Sequence, residues 1–160
     1  MAMRGDLNSK IEALVSRRRG SGGARPSAER AEREQFNRIT SRINALVRDT
    51  VVPSLDRCAK FLVPAGMQVE VTYERWNPAT DDGARASLRI VSMDNQAIVG
   101  AKPELQFRQT PGRERVAVRI EFPDAIIPGG RKSNARVNPD DLTTQFVENA
   151  AREFLETAIE

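Results

Sequence analysis

Apolar residues recur at helical spacing along one long segment of this chain, residues 27–62. A helix of about 36 residues would be roughly three times the usual globular length. Pro53 lies inside it, and a proline both removes a backbone donor and pushes the preceding residue, Val52, away from helical angles. We therefore expect a long helix kinked near Pro53. Its apolar positions form two stripes that face different surfaces: Phe36, Ile39, Ile43, Leu46 and Val47, then Val51, Leu55, Cys58 and Leu62.

After the long helix the pattern changes to the apolar and polar alternation that is typical of half-buried strands. Turn-forming residues at 77–83, 94–95 and 111–112 separate four such segments. The spacing predicts a four-stranded antiparallel meander. Its inward positions are Val69, Val71 and Tyr73; Ala86, Leu88 and Ile90; Leu105 and Phe107; and Val116, Val118, Ile120 and Phe122.

The C-terminal part of the chain predicts a loop followed by a helix. Residues 123–137 are polar and contain glycine, which favours a loop, and Asn138, Pro139, Asp140 and Asp141 form a strong helix start. The pattern therefore indicates an α+β fold in which the long helix and the C-terminal helix pack on one face of the sheet. The last helix is expected to bury Leu142, Phe146, Ala150, Phe154 and Leu155.

A short arm is predicted before the long helix. Residues 6–19 carry one amphipathic helical face, and the glycine-rich segment 20–23 would end it. We expect two parts: a basic helical arm with its linker at residues 1–26, and a single α+β domain at residues 27–160. The apolar residues of the arm are Leu7, Ile11, Leu14 and Val15.

Charge is distributed unevenly between these parts. Residues 1–33 hold eight Lys or Arg and four Asp or Glu, whereas residues 34–160 hold 17 and 18. Attraction to a polyanion would therefore reside mainly in the arm, at Arg17, Arg18 and Arg19, which is a small footprint for a nucleic-acid-binding protein. No segment has the roughly 20 apolar residues of a membrane span, and the opening residues lack the apolar core of a secretion signal. We expect a cytoplasmic protein with no membrane partner.

The residue types give little support to catalysis. The chain has no histidine and one cysteine, Cys58, which shares an apolar helical stripe. Carboxylates occur in pairs at residues 81–82 and 140–141, where turns and helix starts favour them without any catalytic role. We therefore expect no enzyme activity, no cofactor and no metal site of the zinc type.

A glycine-rich segment near the C-terminal helix is a candidate anion site, since a glycine-rich backbone beside cations can hold a phosphate. The spacing does not match a phosphate-binding loop, which needs a lysine directly after the second glycine and a helix after that. A solvated connection is the alternative interpretation. The candidate residues are Gly129, Gly130, Arg131 and Lys132.

The outward positions of the predicted strands alternate in charge. Facing strands would pair these charges, and a solvated, ion-paired face is one interpretation. The other is a binding platform formed by five arginines and Trp76, because Trp and Arg are enriched at interface hot spots. The charged positions are Glu70, Glu74, Arg85, Arg89, Glu104, Arg108, Arg115, Arg119 and Glu121.

The leading functional hypothesis is a non-enzymatic oligomeric structural or adaptor protein that binds a protein partner or its own copies. The arm and the first half of the long helix would supply the contact, with Trp76 as an exposed anchor. The alternatives are a nucleic-acid-associated protein that uses the basic arm, and a small binding domain that uses the arginine-rich sheet face. The proposed partner-binding residues are Leu7, Ile11, Leu14, Val15, Phe36, Ile39, Ile43 and Trp76.

Overall fold

The computed structural model describes residues 24–77, 79, 83–110 and 114–160. The chain divides into two units, Met1–Ile39 and Thr40–Glu160. Residues 1–23, which include nearly all of the expected arm and linker, lie outside the described residues. The arm therefore stays a prediction.

The long helical segment consists of three successive pieces: α1 (Ala24–Leu46), a π-helical turn (Val47–Val51) and α2 (Val52–Phe61). Val52 keeps helical angles, with φ −60° and ψ −49°, and its N–H bonds to the carbonyl of Val47. The expectation that Pro53 forces Val52 out of the helix is wrong. The chain accommodates the proline by widening the turn before it, and the Ser54 hydroxyl donates to the Thr50 carbonyl at 2.6 Å.

An antiparallel sheet follows, with neighbouring strands in the order β1, β2, β4, β5, β6 and the short β3 paired to β2. The sheet has six strands where four were predicted. The extra strands are β3, in the turn after β2, and β6, in the second half of the segment predicted as a loop. The strands are β1 (Gln68–Glu74), β2 (Arg85–Met93), β3 (Gln96–Ala97), β4 (Glu104–Gln109), β5 (Val116–Phe122) and β6 (Arg131–Val137).

A 3-10 turn (Pro139–Asp141) and α3 (Thr144–Ala158) follow β6. The helix begins later than predicted because Thr143 caps it, accepting a hydrogen bond from the Phe146 N–H at 3.2 Å. The position at which α3 begins determines which of its side chains face the core. Of the predicted residues, Leu142, Phe154 and Leu155 are buried, whereas Phe146 and Ala150 are half-buried and Val147 and Ala151 are buried in their place.

The core lies between one face of the sheet and the helices. The rings of Phe122 in β5 and Phe154 in α3 are 5.3 Å apart, and Leu55 and Cys58 of α2 are buried. Leu88, Leu105 and Phe107, among others, cover the inner face of the sheet, as the alternation predicted. The expectation of an α+β fold is confirmed.

Candidate functional site

The outer face of the sheet is the face that points away from the buried positions, since side chains alternate along a strand. Cross-strand register arranges its residues in three rows, which are Glu70, Arg89, Glu104, Glu121 and Lys132; Thr72, Ser87, Gln106, Arg119 and Asn134; and Glu74, Arg85, Arg108, Ala117 and Arg136.

Charges on the β1 and β2 side of this face compensate each other. Arg85 pairs with Glu74, and Arg89 reaches Glu104 at 3.2 Å and Glu70 at 4.0 Å. These groups are all partly exposed, so each pair contributes little to stability. This part of the face matches the ion-paired interpretation.

The β4, β5 and β6 side of the face differs, because four cations line a depression of about 710 Å³ with no acidic residue in its lining. Arg119 and Lys132 pair with Glu121 nearby, at 3.2 and 3.5 Å. Arg108 and Arg136 make no ion pair with any described residue. We call this the basic depression; its lining is Gln106, Arg108, Gln109, Thr110, Ala117, Arg119, Lys132, Asn134, Ala135 and Arg136.

Ala117 forms the floor of the basic depression. It lies opposite Arg108 on one side and Arg136 on the other. Neighbouring strands lie about 4.8 Å apart, so the backbones that carry the two arginines are roughly 10 Å apart with only a methyl group between them. Guanidinium groups at that separation can approach one carboxylate or phosphate from both sides with paired N–H donors.

Trp76 lies beside the basic depression. It lines a second depression of about 490 Å³, and the two depressions share Arg108. Asn44 of α1 holds the chain in place here, because its Oδ1 accepts hydrogen bonds from the backbone N–H of Trp76 and from the Tyr73 hydroxyl, both at 3.0 Å. The Trp76 side chain is half-buried, and its buried Nε1 has no hydrogen-bond partner among the described residues.

The other predicted partner-binding residues are not together. Leu7, Ile11, Leu14 and Val15, like the predicted anion-binding Arg17, Arg18 and Arg19, lie outside the described residues. On α1, Phe36 and Ile39 are half-buried. Ile43 is fully buried in the core of the second unit, so its side chain is not available to a partner.

The predicted anion-binding glycine segment is divided between two structures. Gly129 and Gly130 form a turn with φ of 84° and 69°. The Gly129 N–H donates to the carboxylate of Asp124, which occupies that donor and adds a negative charge. Arg131 and Lys132 belong to β6, and Lys132 lines the basic depression. Only Lys132 of this set therefore joins the candidate site.

The residues considered for catalysis are dispersed. Cys58 is 2% exposed, and burial, together with the charge of Glu148, raises the pKa of its thiol. Asp140 is exposed and pairs with Arg42 of α1. Asp81 and Asp82 lie outside the described residues. Among those that are described, no three His, Cys, Asp or Glu residues group as metal ligands would.

Sequence reasoning placed Arg108 and Arg119 on the outward face but missed Arg136 and the depression. Six of the seven residues of β6 are exposed, so the strand has no apolar alternation to reveal it. The only available signal was a polar segment of strand length between two turn-forming regions.

Within the described ranges, every helix is too short or too polar to cross a bilayer. No family model, curated protein or solved structure matches this chain.

Proposed function

We propose that this chain is a non-enzymatic adaptor protein that binds an acidic segment of a protein partner in the basic depression. The observation that carries the proposal is the pair of arginines, Arg108 and Arg136, on either side of Ala117 with no ion-pair partner among the described residues. Elsewhere on the same face, arginines are matched with glutamates. A solvated, ion-paired face does not explain why these two arginines lack acidic partners.

The electrostatics of the depression favour an anion. Arg119 and Lys132 share the single carboxylate of Glu121, so these two cations add one net positive charge to the unpaired Arg108 and Arg136. A concave surface lined by one sign of charge attracts the opposite sign and raises the association rate. The guanidinium fork also pairs with a carboxylate in a defined geometry, which gives selectivity. Strands β4 and β5 have a buried apolar face behind the depression, so the backbones that carry Arg108 and Arg119 are firmly supported.

A protein partner is favoured over a nucleic acid by the residue types of the outer face. Single-stranded nucleic acids bind sheet faces largely by stacking their bases on aromatic rings. The outward positions of the five long strands carry no aromatic residue and include four glutamates. Residues 34–160 also hold one more acidic than basic residue.

Charge reversal tests the proposal. Arg108→Glu and Arg136→Glu should each raise the Kd of the full chain for a fluorescent poly-glutamate peptide at least tenfold, a change of about 1.4 kcal/mol. Arg152→Glu is the matched control, because Arg152 is an exposed residue of α3 and its reversal gives the same change in net charge. It should change the Kd much less. Equal effects of the three reversals would show that net charge alone matters. A melting curve for each variant confirms folding.

A poly-thymidine strand is the second probe. Its affinity is measured at the same ionic strength as that of poly-glutamate, because nucleic-acid binding releases counterions from the phosphates and therefore weakens steeply with salt. Tighter binding of poly-thymidine than of poly-glutamate, lost with the same two reversals, would replace the proposed partner with a nucleic acid.

A second candidate function is assembly through the arm and α1. The observation that favours it is that residues 27–35 of α1 are exposed throughout, a long helical surface with charges that alternate in sign. Deleting residues 1–26 should lower the light-scattering mass to that of one chain. An unchanged mass would overturn this candidate. Loss of nucleic-acid retention alone would support the basic-arm alternative, which uses Arg25 and Arg30 together with Arg17, Arg18 and Arg19.

A further inference from the structure

The strand β6 is a long, open edge of the sheet. It pairs with β5 over all seven residues and is the last strand in the order. Apart from that pairing, none of the backbone hydrogen bonds between described residues involves Arg131–Val137. Six of its seven residues are exposed. Alternate N–H and C=O groups of β6 therefore point outward, available to another strand.

Most devices that protect edge strands are missing from β6. Its register with β5 is continuous, without a bulge, and it contains no proline. The opposite edge of the sheet differs, since β1 has a register irregularity between Gln68 and Val69 and carries Glu70 and Glu74. Charge is the only protection that β6 retains, and charge excludes some strands while attracting others.

The charge of β6 selects what can pair with it. Its outward residues are Lys132, Asn134 and Arg136, and Arg131 precedes them. A second β6, or any basic strand, would bring like charges together across the pair, which is unfavourable. An acidic strand would match Lys132 and Arg136, and these two residues already line the basic depression.

We propose that the acidic segment binds as an added strand, with its backbone paired to β6 and alternate side chains on the outer face beside Lys132 and Arg136, at the edge of the basic depression. This inference rests on the proposed function and adds the conformation of the partner. Backbone hydrogen bonds would supply affinity and the side-chain positions specificity, as in other cases of strand addition.

The spacing of the cations defines the segment that fits. Lys132 and Arg136 are four residues apart on the same side of β6, with Asn134 between them. Residues two apart on a strand share a face, so the partner needs acidic residues at positions one and five and a polar residue at position three. The intervening side chains would face Ser133 and Ala135, which are small and exposed.

The test uses a seven-residue peptide with Glu at positions two and six, Ser at position four and Thr elsewhere, labelled with a fluorophore. Two isomers carry N-methyl groups on alternate backbone amides, one isomer on the odd amides and the other on the even. In an added strand only one set of amides faces β6. We expect one isomer to lose binding at least tenfold and the other to bind within about threefold of the parent, since a tenfold loss corresponds to 1.4 kcal/mol.

The outcomes separate this inference from the proposed function. If both isomers bind like the parent and Arg136→Glu still weakens binding, the depression binds side chains alone, and strand addition is wrong. Equal loss with both isomers is also incompatible with an added strand. If the parent peptide binds the Arg108→Glu and Arg136→Glu variants as tightly as the unaltered chain, the proposed function itself fails.

A second copy of the chain is the remaining occupant to exclude, since the acidic β1 of another molecule could pair with β6. Light scattering without peptide decides this. A mass above that of one chain that returns to one chain in both Glu74→Lys and Arg136→Glu would assign the edge to self-assembly and overturn the peptide proposal. A mass unaffected by either change supports it.

Discussion

Arg108 of β4 and Arg136 of β6 lie in one row across the sheet, with only the methyl group of Ala117 between them. Cross-strand rows of this kind normally combine opposite charges, as Glu74 and Arg85 do in the same row. The small residue therefore keeps two like charges near each other without a counter-charge. This arrangement suggests a direct way to separate stability from binding.

Replacing Ala117 with glutamate should stabilise the fold while abolishing binding. The new carboxylate would lie between Arg108 and Arg136 and form cross-strand pairs, each worth about 0.2 to 1 kcal/mol. It would also occupy the place of the partner's carboxylate. Urea denaturation should show a free energy of unfolding that is equal or higher, and anisotropy should show no binding of poly-glutamate.

Ala117→Gln is the control for this substitution, because its side chain is similar in size and uncharged. We expect it to weaken binding only by crowding, by less than the glutamate does. If both variants bind like the unaltered chain, the floor of the basic depression is not where the partner lies.

A buried hydrogen bond joins α1 to the sheet, with Gln109 Nε2 donating to Thr40 Oγ1 at 3.2 Å. Thr40→Val would leave this amide unsatisfied, and we expect the free energy of unfolding to fall by about 1 to 3 kcal/mol. Adding Gln109→Leu should recover much of that loss, since the second change removes the stranded polar group. Denaturation of the two single variants and the double variant measures the coupling, and strictly additive losses would contradict it.

Two phenylalanines on the helices provide a matched pair that differs in burial. Phe154 is fully buried against Phe122, whereas Phe61 is 79% exposed. Phe154→Ala should lower the free energy of unfolding by about 3 to 5 kcal/mol, since it removes a buried ring and leaves a cavity. Phe61→Ala should change it by less than about 0.5 kcal/mol. A comparable loss at Phe61 would mean that another surface covers this ring.

Stability should decline at alkaline pH partly because of Cys58. Burial raises the pKa of this thiol in the folded chain above its ordinary value of 9.0. The fold therefore favours the protonated form, so this contribution is complete below pH 9.0 and is lost as the pH rises through that value toward the folded-state pKa. Denaturation of the unaltered chain and of Cys58→Ala, at about pH 7 and about pH 10, isolates the effect. A difference between the two proteins that does not change with pH would contradict it.

Much of the architecture could be predicted from the sequence because elements that bury one face have apolar residues at a regular spacing. The alternation at Leu88 and Leu105 and the stripe at Leu55 and Cys58 arise from one face meeting a core, so the four predicted strands and the long helix were identified together with their inward sides. The outward position of Arg108 followed from the same alternation. These features require only local spacing.

The remaining features depended on tertiary contacts. No local pattern marks β6, because an exposed edge strand imposes no apolar period; it exists because β5 offers it a hydrogen-bonding edge. Likewise, Val52 stays helical because the surrounding core holds Val47 and Val51 in a widened turn, which outweighs the local preference set by Pro53.

The sequence by itself determined the α+β class, the inward faces of the four predicted strands and the outward arginines of β4 and β5. Tertiary structure alone decided that Arg136 lies across Ala117 from Arg108, since these arginines are 28 positions apart in the chain and only the register of β4, β5 and β6 brings them into one row. Cross-strand register is a property of paired backbones, and the candidate site depends on it.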